Sequence, residues 1–221
     1  MATGKRVGVL LSGCGFLDGA EIQEAVCTLL SLDRRGATLV AMAPDKPQHH
    51  VIDHLAKQPQ AGAARNVLQE AARLVRGQIT PLAKVKAEDL DALILPGGFG
   101  AAKNLCTYAF DGAAMKVDPD VERLVRAVRA AKKPMGFICI APVIAARLFG
   151  SEHVRLTIGM DPATAGHIAG WGAEHVECPV DQIVVDQRLE VVSTPAYMLG
   201  PWIAPVAAGI DKLVGAVLEM A

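Results

Sequence analysis

Phe137-Ile138-Cys139-Ile140-Ala141-Pro142 sets a cysteine directly behind a short apolar run and ahead of a helical one. In open α/β sheets, ligand sites lie at the carboxyl ends of the strands. A nucleophile on a sharp strand-to-helix turn stands above the sheet, and the next backbone N–H, here that of Ile140, is free to hold an oxyanion. The helix that follows supplies positive potential, so Cys139 is expected to be the most reactive thiol, with a depressed pKa. The plainer role for a cysteine is that of a small buried apolar residue. It is open to each of Cys14, Cys27, Cys106, Cys139 and Cys178. No pair has CxxC spacing and no His/Cys cluster has zinc-ligand spacing, so neither a disulfide framework nor a metal site is expected.

Two further features fall at the same edge of the sheet. Pro96-Gly97-Gly98 follows the apolar run Ala92 to Leu95. Its glycines let the backbone approach a substrate, and the Gly98 N–H would complete an oxyanion pair with Ile140. Glu21 and Glu24 stand three apart near the start of the first helix, on one face. Carboxylates there ordinarily serve the helix dipole; one pointing over the sheet edge would meet Cys139 as a general acid/base. Such a carboxyl, buried beside a thiol and without a cation, would hold its proton at neutral pH.

A rival reading starts from Gly13, Gly15 and Gly19, which loosely follow a dinucleotide-binding pattern, with Asp45 at the ribose position. Asp18 and Glu21 oppose it, because they crowd the helix N-terminus that would receive a pyrophosphate. His50 and His54 are four apart but lack a third ligand nearby. His167 and His175 flank a Gly/Trp turn; either could reach the site, and the sequence selects neither. Tyr197, Trp171 and Trp202 are read as core or interface residues.

These groups need elements to hold them. Arg6 to Ser12, Thr38 to Ala43, Ala92 to Leu95 and Met135 to Ile138 read as buried strands. Apolar residues at helical spacing from Ala20 to Arg35 end at Gly36, a C′ glycine. Further helices are expected over Asn66 to Arg76, from Asp118-Pro119 towards Lys133, over Ile140 to Leu148 and over about 201–220. Short strands are expected near 154–158, 183–185 and 190–193. Strand and helix alternate, which implies a parallel sheet with helices on both faces. Residues 1–221 read as one α/β domain.

Composition removes several function classes. Twenty-two Lys and Arg against 23 Asp and Glu leave a net charge of −1, so no basic field points to nucleic acid. No apolar run reaches the roughly 18 residues of a membrane helix. The N-terminus has no convincing signal-peptide core. A cytoplasmic protein is expected.

Together the motifs resemble a known family. Ser12-Gly-Cys-Gly, Asp18-Gly-Ala-Glu-Ile-Gln-Glu-Ala25, Pro96-Gly-Gly-Phe-Gly-Ala-Ala-Lys-Asn104, Gly136-Phe-Ile-Cys-Ile-Ala-Pro142 and Thr194-Pro-Ala-Tyr-Met198 are similar to ElbB proteins. These are the bacterial enhancing-lycopene-biosynthesis or isoprenoid biosynthesis glyoxalases, in the PfpI-like branch of the class I glutamine amidotransferase-like superfamily. The resemblance implies a flavodoxin-like three-layer α/β/α sandwich with a nucleophile elbow. It implies Cys139 as nucleophile and Glu24 as the carboxyl bonded to it, with oxyanion N–H groups from Gly98 and Ile140. Gly97, Asn104 and Glu21 are expected around the substrate. The implied reaction converts methylglyoxal or glyoxal to lactate or glycolate through a Cys hemithioacetal, without glutathione, metal or other cofactor. A small aldehyde is then the ligand, and a homodimer the expected assembly. Relatives with fast turnover carry a His after the elbow or after a later strand. Ile140 and Thr157-Ile158-Gly159 stand in those places, which implies a modest rate. The alternatives are a Cys hydrolase or amidase of another small molecule, and a redox or electrophile sensor.

Overall fold

The computed structural model describes residues 4–221. Arg6–Leu10 (β1) is buried from Val7 onward on both of its sides, and a strand of that kind is stable only inside a sheet covered on both faces. The chain continues through α1 (Ile22–Arg34), β2 (Thr38–Ala43), β3 (Ile52–Asp53), β4 (Gln58–Pro59), α2 (Val67–Ala72), β5 (Thr80–Pro81) and β6 (Ala92–Leu95). It then forms α3 (Phe99–Lys103), α4 (Tyr108–Asp111), α5 (Pro119–Ala130), β7 (Met135–Ile138) and α6 (Pro142–Phe149). The last part holds β8 (Arg155–Leu156), α7 (Pro162–Gly170), β9 (Glu174–His175), β10 (Val184–Asp186), β11 (Val191–Thr194) and α8 (Ile203–Met220).

Seven strands make the central sheet, in the order β10-β11-β7-β6-β1-β2-β5. All neighbours pair in parallel except β10 with β11, so the sheet has one antiparallel edge. Alternate side chains feed two separate cores. On one face Leu10, Leu93, Leu95 and Phe137 meet Leu124 and Val128 of α5 and Ile144 of α6. On the other, Val7, Val9, Ile94 and Ile138 meet Leu32 of α1, Val67 of α2 and Leu213 and Val217 of α8. This is the three-layer, mostly parallel sandwich that the strand and helix pattern implies.

The topology also decides where a ligand can enter. From β1 the chain moves outward to β2 and β5, then returns to the other side of β1 for β6. The order reverses there, which in such sheets marks the ligand-binding point at the strands' carboxyl ends. Here the loops after β1 and β6 close on each other, the Phe99 N–H donating to Phe16 O at 2.7 Å and the Gly100 N–H to Gly19 O at 2.9 Å, and the crevice opens beside them. The loop after β7 borders the same crevice.

Local differences from the sequence reading have local causes. The expected helix from Ile140 begins only at Pro142, because Cys139 adopts a left-handed conformation and residues 140–141 form the turn behind it. The helix expected from Asn66 to Arg76 is capped by the Asn66 side chain, runs as α-helix over Val67–Ala72, narrows to a 3-10 turn over Arg73–Val75 and ends at left-handed Arg76. The strand near 154–158 is only Arg155–Leu156 and lies outside the main sheet. It pairs in parallel with Glu174–His175, a strand the apolar pattern does not announce. Among the described residues, no helix is long and apolar enough to cross a membrane.

Gly136 shows how tightly the nucleophile's strand is held. A Cβ there would lie 2.7 Å from Leu213 Cδ2 and 3.3 Å from both Ile94 Cγ1 and Val217 Cγ2. Gly136→Ala should therefore lower unfolding free energy by about 1–3 kcal/mol through overpacking. Urea unfolding followed by circular dichroism checks this; an unchanged midpoint would contradict the packing described.

Candidate active site

Cys139 sits at the end of β7 with φ +62°, the left-handed region. For a non-glycine residue this costs about 1–2 kcal/mol, so the surroundings must enforce it. They do so from both sides: the Cys139 N–H donates to Thr194 O at 2.9 Å, and the Ala141 N–H closes the turn on Ile138 O at 3.0 Å. The result is a nucleophile elbow. The backbone N–H groups of Gly98 and Ile140 face the Cys139 sulfur and act to lower its pKa.

The glycine turn after β6 is shaped by contact. A Cβ on Gly97 would come within 2.5 Å of Cys139 Cβ and 2.8 Å of Glu24 Oε2. Gly98 has φ +89°, and a Cβ there would lie 2.4 Å from Glu21 N. Bare backbone is what allows the thiol, the carboxyl and two N–H donors to share one small volume.

Glu24 is fully buried. Its Oε2 accepts the Gly97 N–H at 2.9 Å, its Oε1 accepts the Tyr197 N–H at 3.3 Å, and it hydrogen-bonds to the Cys139 thiol. Burial, reinforced by the negative charge of Glu21, pushes the Glu24 carboxyl up to about 8 despite these bonds. At neutral pH it therefore keeps its proton, as expected of a carboxyl without a cation. The depressed thiol does not appear. Burial first, and the Glu24 carboxyl second, push Cys139 well above its ordinary range, and the Gly98 and Ile140 N–H groups only partly offset them. The resting pair is thiol and carboxylic acid. Its protons leave as a coupled set rather than from two independent sites. Cys106 is buried and pushed up to about 12, mainly by desolvation, which makes it a core thiol.

Above the pair opens a cavity of about 680 Å³. Phe16, Phe99, Tyr108, Ile140, Tyr197 and Met198 form most of its wall. Its polar points are Glu21, Gln23, Asp161 and Thr164. Glu21 caps α1, accepting the Glu24 N–H at 2.6 Å, and also lines the cavity. Asn104 does not line the cavity. Its side chain donates to Ser12 O and Asp18 O and accepts from the His49 N–H, so it clamps the first loop instead. The same clamped loop leaves no place for a pyrophosphate, because Glu21 occupies the cap of α1.

Neither candidate histidine lines the cavity. His167 stands behind the wall, its Nδ1 3.0 Å from the Tyr108 hydroxyl. The Nε2 of His175 accepts the Ile158 N–H at 3.3 Å. Tyr197, read from sequence as core or interface, supplies both a wall and the N–H on Glu24. Its placement depends on left-handed Ala196 (φ +44°), which turns the chain directly after β11. The signal available in the sequence was Thr194-Pro195 closing a strand at the same sheet edge as Cys139. No group of three or more His, Cys, Asp or Glu among the described residues is arranged to hold a metal ion.

Comparison with known proteins places this geometry in a family. The human mitochondrial glutamine amidotransferase-like class 1 domain-containing protein 3 is 46% identical over 224 residues, covering 97% of this chain and 83% of that protein. The chain belongs to the glutamine amidotransferase-like class 1 (ES1) family. The rat mitochondrial ES1 protein homolog is 45% identical, over 97% of this chain and 84% of its own length. Among solved structures, an isoprenoid biosynthesis protein with an amidotransferase-like domain from Ehrlichia chaffeensis superposes with a TM-score of 0.91. It is 36% identical and covers 98% of this chain and 99% of its own. A ThiJ/PfpI domain protein from Brachyspira murdochii shares the fold alone, at TM-score 0.59 and 14% identity, over 100% of this chain and 97% of its own. No family model matches the chain.

The raised carboxyl of Glu24 has a consequence for stability. Because its folded pKa lies near 8, above the ordinary 4.5, the folded state binds the proton more tightly than the unfolded one. The stabilisation is complete below about pH 4.5 and is lost as pH rises through 8. Unfolding free energy should fall by a few kcal/mol between about pH 5 and 9. Glu24→Gln, which keeps the shape without the titration, should flatten most of that slope. Urea denaturation at several pH values checks this; an equal slope in the variant would contradict a protonated Glu24.

Proposed function

We propose that this protein is a Cys139-dependent enzyme acting on small carbonyl compounds, and that its reaction is the glutathione-independent conversion of methylglyoxal or glyoxal to lactate or glycolate. The observation that carries this reading is the protonated Glu24 bonded to the Cys139 thiol beneath two converging N–H donors. That set matches the charges an aldehyde develops when a thiol adds to it.

The proposed sequence is as follows. The resting pair first gives one proton to solvent; the sulfur of the resulting thiolate then bonds to the aldehyde carbon while the Glu24 carboxyl passes its proton to the carbonyl oxygen, which becomes the hemithioacetal hydroxyl and leaves Glu24 as a carboxylate. The N–H groups of Gly98 and Ile140 face the sulfur and the developing oxyanion. A carboxylate form of Glu24 then removes the proton from the hemithioacetal carbon and returns it to the neighbouring carbonyl carbon through an enediol. The product is a thioester of lactate, or of glycolate when glyoxal is the substrate. Water cleaves the thioester and restores the thiol. The net change is an internal oxidation and reduction of adjacent carbons plus one water, so the scheme draws on no cofactor. Because Glu24 must alternate between acid and base, its value near 8 suits the task. The raised thiol, and a cavity wall without histidine among the described residues, support a modest rate.

Within the family, the Ehrlichia chaffeensis protein's description as an isoprenoid biosynthesis protein supports grouping this chain with the ElbB proteins. The proposal includes a homodimer in the cytoplasm, with neither nucleic acid nor membrane as partner. A Cys139 hydrolase or amidase is the second reading, favoured by the size of the cavity, which far exceeds what a three-carbon aldehyde fills.

Lactate formed from methylglyoxal should depend wholly on Cys139 and fall about 10²–10⁴-fold in Glu24→Gln. In the wild type, kcat/KM should rise with pH through about 8, as the coupled pair loses its first proton. Stopped-assay lactate measurement across pH 6–10 for wild type, Cys139→Ala and Glu24→Gln checks this. Lactate formation that survives in Cys139→Ala would end the glyoxalase reading. A wild type that makes none would shift the case to hydrolysis, or to a sensor whose Cys139 becomes a sulfinate under mild peroxide.

A further inference from the structure

The cavity has a one-sided chemistry that the glyoxalase scheme does not use. Its wall is built from aromatic and aliphatic side chains, with Phe16 and Phe99 at 42% and 50% exposure on the open side. Among the described residues that line it, none is Lys, Arg or His, and two are carboxylates, Glu21 and Asp161. Lys103 does not line the cavity: its ammonium donates to Leu17 O at 2.8 Å and stands 5.3 Å from the centre of the Phe99 ring. The two carboxylates are held in place rather than swinging freely. Glu21 accepts the Glu24 N–H at 2.6 Å, and Asp161 caps α7 by accepting the Thr164 N–H at 2.8 Å.

An anionic ligand here would meet negative charge in an apolar setting with no cation to balance it. An apolar substituent would meet a wall able to bury it. Cavities of about 300–1,000 Å³ enclose drug-sized ligands, so about 680 Å³ leaves most of the space unfilled by methylglyoxal. We infer that the Cys139 site takes, ahead of methylglyoxal and glyoxal, uncharged or amine-bearing carbonyl compounds with a bulky apolar substituent, and that phosphorylated or carboxylated carbonyl compounds are excluded. This rests on the reading of Cys139 as the nucleophile, but not on which reaction follows its addition.

Alkylation of Cys139 tests both halves without requiring turnover. Rates are measured at one pH by mass spectrometry of the Cys139 peptide, so the thiolate fraction is common to all reagents. Each rate is divided by that of the same reagent with glutathione, which removes intrinsic reactivity. Across iodoacetamide and its N-ethyl, N-butyl and N-hexyl derivatives, the normalised rate should climb by about threefold per methylene until the cavity is filled. Iodoacetate should be about tenfold slower than iodoacetamide on the same scale. In the Glu21→Gln, Asp161→Asn double variant, whose amide oxygens can still accept the capping bonds, that deficit should shrink at least about threefold. A labelled Cys139 with no gain along the series, with iodoacetate as fast as iodoacetamide, or with a deficit unchanged in the double variant overturns the inference and leaves the nucleophile standing. A Cys139 that no reagent labels while Cys14 and Cys27 react overturns the nucleophile assignment, and the inference falls with it.

Discussion

A carboxyl with no cation, sealed inside the protein and bonded to a thiol, is the constraint around which this site is organised. Glu24 reaches its place from α1, yet what holds it comes from three other segments: the N–H of Gly97 after β6, the N–H of Tyr197 after β11, and the thiol of Cys139 after β7. Each of those segments must deliver a backbone or side-chain donor to within hydrogen-bond distance of one buried group. A buried carboxyl that lost its donors would face the full cost of desolvation. The loops at this sheet edge are therefore held by a common partner as well as by their own turns.

That convergence accounts for the unusual backbone. Cys139 and Ala196 both adopt positive φ without being glycine, and Gly98 does so beside them. In isolation each conformation is unfavourable, by an amount that surrounding hydrogen bonds can offset. Here the offset is visible: Cys139 is tied to β11 through Thr194, and the turn at Ala196 aims the Tyr197 N–H at Glu24. The strained residues are the ones that turn donors inward where ordinary extended backbone would carry the chain past.

The same burial sets the chemistry. Had a lysine or arginine stood near Glu24, the carboxyl would be ionised and the thiol unable to use it as a proton store. Surrounded instead by apolar wall and by Glu21, the pair holds both protons until a substrate enters or the pH rises. The positive potential of a helix start, which by itself would favour a thiolate, is outweighed. α6 begins three residues beyond the sulfur, and only two N–H groups face it against complete desolvation and a neighbouring carboxyl.

The sequence by itself determined the layers of the fold and the position of the nucleophile. Buried parallel strands are continuous apolar runs, and amphipathic helices repeat at their own period, so β1, β2, β6, β7 and α1 are legible from hydrophobicity alone. A cysteine at the end of such a run can only stand at the sheet's ligand-binding edge. Glu24 was reachable from family resemblance, and Gly97 and Gly98 from their place after a strand. Three things were decided only in three dimensions. Asn104 left the site because its amide satisfies three backbone groups of distant loops, a match no local spacing records. Tyr197 entered it because a left-handed turn at Ala196 rotates it inward. The direction of the thiol's pKa was fixed by the balance between burial and charges brought together from segments more than a hundred residues apart, Glu24 and Cys139 foremost. Local pattern reports what a residue can do; desolvation depends on everything packed around it, and that is a property of the folded chain.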